Sequence, residues 1–208
     1  LGGHLDSING GGWGGGGASA RAPGADDNAS GIAVLTEAVR LLGEAGFRPK
    51  RTIQFMGYAA EEVGLRGSAD IAKQYKAAGT KVVAVIQFDM TNFAGSGQAI
   101  YVLTDNVDAS LSSHVKALVD AYSGVPSATT ACGYGCSDHA SWTRSGYPAS
   151  AAFESSFNTM NRSIHTDRDT VENSGGSAAH SVPFARLAAA FAVETAKPAG
   201  TAGLSAAR

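Results

Sequence analysis

Charge is scarce in this chain. Only 16% of its 208 residues are Asp, Glu, Lys or Arg, and the formal net charge is −2. No basic stripe is present, so a nucleic-acid partner is not expected. Long apolar runs are absent too. Nothing approaches the roughly 18 consecutive apolar residues of a membrane span, and no membrane partner is expected. There is no His-Glu-x-x-His, which argues against a single-zinc site on one helix. The glycines of residues 9–24 are not followed by Lys-Ser/Thr or by a helix, which excludes a phosphate loop of that type. Cysteine is limited to Cys132 and Cys136. Two thiols cannot make a zinc site alone. The glycines around Tyr134 would let the short loop close as a disulfide, which would point to an oxidising compartment, but free thiols fit the spacing equally well.

What is present is a globular balance, with 44% apolar residues in a length that suits one domain with a sizeable core. The first residues, Leu1-Gly2-Gly3-His4, read as the middle of a protein. The expectation is a mature form or a fragment, with upstream strands missing. Residues 1–196 read as the domain, and residues 197–208, rich in Ala, Gly, Ser and Pro, as a linker or tail. Residues 9–24 read as a flexible surface excursion, with Trp13 either a lid residue or packed on the surface.

Between these ends, helical and strand patterns alternate. Ile32, Leu35, Val39 and Leu42 recur at helical spacing over residues 31–45, with Asn28 or Ser30 as the cap and Gly46 as the stop. Strands are expected over 52–58, 81–88, 99–104 and 148–153, and a short one delivers His4. Helices are expected over 66–78, 109–122, 178–196 and, capped by Ser137-Asp138, up to Arg144. The run 81–88 is almost continuously apolar, as in a parallel strand buried on both faces. The fold class is α/β: a three-layer α/β/α sandwich around a mixed, mainly parallel sheet.

The polar residues that stand out lie at strand ends. Glu61 and Glu62 follow the 52–58 strand, Asp89 follows the 81–88 run, and His4 ends the first strand. Asp26 lies in the turn before the first helix and His165 in an irregular loop. Each has an ordinary explanation alone: acids favour helix starts, and Asp and Asn favour turns. Together they make two imidazoles and a surplus of carboxylates, gathered where open α/β sheets bind ligands. Mixed N/O ligation suits zinc, and more carboxylates than one ion needs suggest two.

Six blocks, in order, carry a resemblance: Gly3-His4-Leu5-Asp6-Ser7, residues 23–31, residues 58–68, Asp89-Met90-Thr91-Asn92, residues 132–142 and Ile164-His165-Thr166. Over residues 1–196 the chain resembles the secreted bacterial leucyl aminopeptidases of the vibrio type. These are di-zinc metallopeptidases with a phosphorylase/hydrolase-like α/β fold. The resemblance implies two Zn²⁺ per chain. His4 and Glu62 would hold one ion, Asp89 and His165 the other, and Asp26 would bridge them, with a cis bond to Asp27. Glu61 would be the general base, Tyr134 would bind the carbonyl oxygen, and Asp6 would orient His4. Cys132–Cys136 would be a disulfide. Met90, Leu103, Phe153, Phe157 and Ile164 would line the pocket for a Leu-like first side chain. The substrate would be the N-terminus of a peptide or protein, and the enzyme a secreted monomer. Ala151, Met160 and the glycine-rich loop depart from the pattern and leave the pocket size open. The competing readings are a glutaminyl-cyclase-like transferase with one zinc, a non-catalytic binding module on the same fold, and a carboxypeptidase or amide hydrolase of the same superfamily reading a carboxylate through Arg162.

Overall fold

The computed structural model describes residues 1–10 and 19–199. Most of the glycine-rich loop, with Trp13, and the tail from residue 200 on lie outside the described residues. Six strands form one sheet: β1 (Gly2–His4), β2 (Met56–Tyr58), β3 (Val85–Phe88), β4 (Ile100–Leu103), β5 (Ser127–Thr130) and β6 (Ala149–Phe153). Their order is β2-β1-β3-β6-β4-β5. β2, β1, β3 and β6 run parallel, whereas β4 is antiparallel to β6 and parallel to β5. The mixed, mainly parallel sheet expected from the patterning is therefore present.

Helices cover both faces. β3 shows why, because its residues alternate between two apolar clusters. Ile86 and Phe88 pack with Val34 and Leu35 of α1 (Gly31–Glu44), Val115 of α3 (Ala109–Leu118) and Phe184, Leu187 and Phe191 of α5 (Val182–Ala196). Val85 packs on the other face with Ala72 of α2 (Arg66–Ala77) and Trp142 of α4 (His139–Arg144). β3 and β6 are buried along their whole length, as expected for central strands with helices on both sides.

Several boundaries differ from the sequence reading. β2 is confined to three residues, because residues 52–55 find no strand partner among the described residues. β5, a short Ser/Thr/Ala stretch, carries no apolar pattern that would mark it as a strand in the sequence. The buried stripe of α1 is Val34, Leu35 and Ala38, whereas Val39 is 48% exposed. Ala38 shares its cluster with Leu187, Ala188 and Phe191 of α5, and its small side chain suits a close helix–helix contact. Asn28, not Ser30, caps α1: its Oδ1 accepts the Gly31 N–H at 3.0 Å. Gly31 has to be glycine, since a Cβ there would lie 2.3 Å from both Asn28 Oδ1 and Phe88 O. Neither Ser137 nor Asp138 caps α4 through its side chain. α5 starts at Val182 after a short 3-10 turn, Ala179–Ser181. The start of the tail is not a free linker: Pro198 bridges Pro49, and Lys197 O accepts the Lys50 N–H.

The topology matters because parallel strands end on the same edge. β1, β2, β3 and β6 therefore deliver His4, the Glu61–Glu62 turn, Asp89 and Glu154 to one side of the sheet.

Candidate metal centre

His4 and Asp89 are brought together by strand register. Gly2 pairs with Gln87, so two residues further along each strand His4 lies beside Asp89. His4 Nε2 is 3.3 Å from Asp89 Oδ1 and 3.0 Å from Asp27 Oδ1. The other oxygen of Asp27 is 3.1 Å from His165 Nε2, which lies 2.8 Å from Glu62 Oε2. Two triads result, His4–Asp27–Asp89 and Asp27–Glu62–His165, and their donor atoms are close enough to share a cation in each.

This geometry corrects three expectations. The residue between the triads is Asp27, not Asp26. Adjacent residues in the turn project oppositely, and the Asp26 carboxylate faces inward. Its Oδ1 accepts the Asn92 N–H at 3.0 Å and its Oδ2 accepts from Asn161 Nδ2 at 3.1 Å, so it is fully buried away from both histidines. The cis peptide is Asp27–Asn28, one bond beyond the expected Asp26–Asp27. The ligand pairing also changes. His4 groups with Asp89, its register neighbour, and Glu62 with His165, which the loop after β6 brings across.

The donors are held from outside. His4 Nδ1 lies 2.9 Å from the carbonyl oxygen of Asp6, which leaves Nε2 facing the acids. The Asp6 carboxylate is 3.7 Å from that nitrogen and instead accepts the N–H groups of Glu61 and Glu62. Asp6 thus orients His4 through its backbone, not through the side chain that the sequence pointed to. Ser137 Oγ donates to Asp89 Oδ2 at 2.5 Å. Ala60, Met90 and His165 adopt φ near +57°, a region that non-glycine residues seldom occupy outside constrained sites.

Electrostatics point the same way. Burial opposes a charge on His4, but Asp89 and Asp27 outweigh it and raise the imidazole. Asp27 and Glu62 push His165 up to about 10. Burial, then the charge of Asp89, pushes Glu61 up to about 9. These shifts share one cause, the crowding of Asp27, Glu61, Glu62 and Asp89 around two imidazoles in a buried site. Glu62 Oε1 is buried without a hydrogen-bond partner among the described residues. A buried, unpaired carboxylate oxygen is costly, and a cation at the second triad would satisfy it. The mixed imidazole and carboxylate set suits zinc.

A cleft of about 270 Å³ opens beside the triads. Glu61, 8% exposed, lies in its wall with Asp27, Glu62 and Asp89. All five expected pocket residues, Met90, Leu103, Phe153, Phe157 and Ile164, line it, and so do Ala151 and Met160. Tyr134 overhangs it, 60% exposed, with its ring edge-on to Phe157. Tyr134 sits on the loop closed by the Cys132–Cys136 disulfide. Asp105 anchors that loop by accepting the N–H groups of Cys132 and Gly133, a role with no sequence signal of its own. A larger hollow of about 400 Å³ runs along β2, but no His, Asp or Glu lines it. The chemistry therefore belongs to the smaller cleft.

Residues 1–191 match peptidase family M28. A probable leucine aminopeptidase of Arthroderma benhamiae is 44% identical over 177 residues, covering 83% of this chain and 47% of that protein. The crystal structure of the Legionella pneumophila LapA aminopeptidase superposes with a TM-score of 0.84 at 38% identity, covering 94% of this chain and 50% of that one. BSAP, a zinc aminopeptidase from Bacillus subtilis, shares the fold at 22% identity and a TM-score of 0.70, over 93% of this chain and 45% of that one. The chain thus spans about half the length of these proteins. The match over residues 1–191, on this sheet and these triads, places the chain in peptidase family M28.

Proposed function

We propose that this chain carries the catalytic machinery of a two-zinc aminopeptidase of the secreted leucyl type. One observation carries the reading: the two oxygens of Asp27 are divided between His4 and His165, with Glu61 and an apolar cleft beside them. His4, Asp27 and Asp89 would hold one ion, and Asp27, Glu62 and His165 the other. When bound, zinc supplies Lewis acidity toward the scissile carbonyl and makes water nucleophilic near neutral pH.

The chain's own residues do the rest. Glu61 lines the same cleft and binds no partner histidine. Kept ionised by the cations that the two triads would hold, its carboxylate takes a proton from the attacking water and passes it to the leaving amine. Tyr134, at the mouth, donates a hydrogen bond to the carbonyl oxygen as negative charge develops there. The negative charge around Asp27 and Glu62 suits the substrate's free α-amine. The apolar wall formed by Met90, Leu103, Phe153, Phe157 and Ile164 receives Leu or another large hydrophobic N-terminal side chain. The Cys132–Cys136 disulfide supports an extracellular place of work. We take the working unit to be a monomer.

The test is hydrolysis of Leu-p-nitroanilide, with N-acetyl-Leu-p-nitroanilide as control, before and after chelation. Cleavage of the free-amine substrate alone, lost on chelation and restored by zinc, is the expected result. Equal cleavage of the acetylated substrate would overturn the exopeptidase assignment. Activity that survives full metal removal would overturn the zinc assignment.

A further inference from the structure

We propose that Asp169 is a positioning residue that sets the distance between Asp27 and His165. Three consecutive backbone N–H groups converge on it. Its carbonyl oxygen accepts Ala25 N–H at 3.1 Å. Its Oδ1 and Oδ2 accept Asp26 N–H at 3.2 and 3.3 Å, and Oδ2 accepts Asp27 N–H at 3.0 Å. Oδ1 also accepts from Asn161 Nδ2 at 3.3 Å. Asp169 is 1% exposed. Its oxygens are occupied by N–H groups, so it is not a further metal donor despite its closeness to the triads.

Its place in the chain makes these contacts consequential. His165 lies four residues before Asp169, and its Nε2 faces the Asp27 carboxylate. One short segment therefore grips Asp27 twice, at the carboxylate through His165 and at the backbone amide through Asp169. Asn161 ties the same segment from its other end, donating to both Asp26 Oδ2 and Asp169 Oδ1 while accepting the Ser163 N–H. The first triad is built differently. His4 and Asp89 are set by the β1–β3 register, by the Asp6 carbonyl and by Ser137. Loss of Asp169 should loosen the Glu62–His165 end far more than the His4–Asp89 end.

The inference rests on the two-zinc reading above, and the experiment separates the two. Zinc is titrated calorimetrically into the metal-stripped full chain of wild type, Glu62→Gln and Asp169→Asn. Glu62→Gln identifies which binding step belongs to the second triad. In Asp169→Asn, an amide group faces the backbone N–H groups in place of one oxygen. That same step should weaken by about 10-fold or more, and the other by less than about threefold, on the scale usual for groups that orient metal ligands. Ser123→Ala removes a buried hydroxyl far from the site and should move neither step, although it lowers thermal stability. If Asp169→Asn does not fold, Asp169→Glu keeps both oxygens on a longer arm and should weaken the same step. Unchanged steps, or equal weakening of both, would overturn the proposal. Failure of the wild type to show two steps would instead overturn the two-zinc reading.

Discussion

The carboxylate of Asp6 accepts the backbone N–H of Glu61 at 3.1 Å. A side chain two residues beyond His4 thus holds the turn that carries the proposed base, while its carbonyl oxygen faces His4 Nδ1. The first strand and the Glu61–Glu62 turn are fixed as one unit. Asp6→Ala would free the N–H groups of Glu61 and Glu62 and leave the contact with His4 intact. The expected outcome is a 10- to 100-fold fall in kcat/KM, roughly, with His4 still binding zinc. Unaltered kinetics would show that the turn is held by other contacts.

Asp26 and Asp27 are neighbours with opposite tasks. Asp27→Ala removes the shared carboxylate and should lower zinc content at both triads, with activity lost. Asp26→Asn keeps a side chain of the same shape among Asn92 and Asn161 and should retain zinc. Elemental analysis of the two variants after dialysis decides the matter. Full zinc retention by Asp27→Ala would return the bridging role to Asp26.

Glu61→Gln should keep its metals and lose turnover. Removing a positioned acid/base group costs roughly 10²- to 10⁴-fold in kcat. Parallel measurement of zinc content and kcat is the check. A simultaneous loss of zinc would make Glu61 a ligand instead of a proton carrier.

His139 links stability to pH. It is fully buried on α4, and burial pulls its pKa from 6.5 to about 4. Asp105 and Asp89 oppose this shift and Arg144 reinforces it. Below pH 6.5 the unfolded chain binds a proton at this residue that the folded chain refuses. Stability is therefore lost as pH falls from 6.5 toward 4. Asp138, pushed up to about 7 by burial, contributes with the opposite sign in the same window, so the wild-type curve alone is ambiguous. The difference between wild type and His139→Leu isolates His139. Chemical denaturation at pH 7 and pH 5 should show the variant gaining about 2 kcal/mol on wild type at the lower pH. A pH-independent difference would sink the assignment.

Much of this protein is legible in one dimension. Apolar periodicity fixes element type, because a residue's burial in a helix or strand repeats with the element's own period. The helices α1, α2, α3 and α5 and the strands β3, β4 and β6 appear near their expected places. His4, Glu61, Glu62, Asp89 and His165 stand out because acids and imidazoles after apolar runs are rarely needed by a core. The pocket residues were carried by resemblance, and the fold gathers them in one cleft. β5 was invisible because an edge strand of Ser, Ala and Thr needs only backbone partners, which lie far away in the chain.

Local sequence could not say which of Asp26 and Asp27 faces the histidines. That depends on the direction of an irregular turn, and Asn92, Asn161 and Asp169, 66 to 143 residues away, set it. Nor could it pair the ligands, since His4 meets Asp89 only through the β1–β3 register. Residue types and spacing thus determine the chemistry available to this chain. The tertiary structure alone decides which atoms face one another, because long-range hydrogen bonds and strand register have no trace in neighbouring residues.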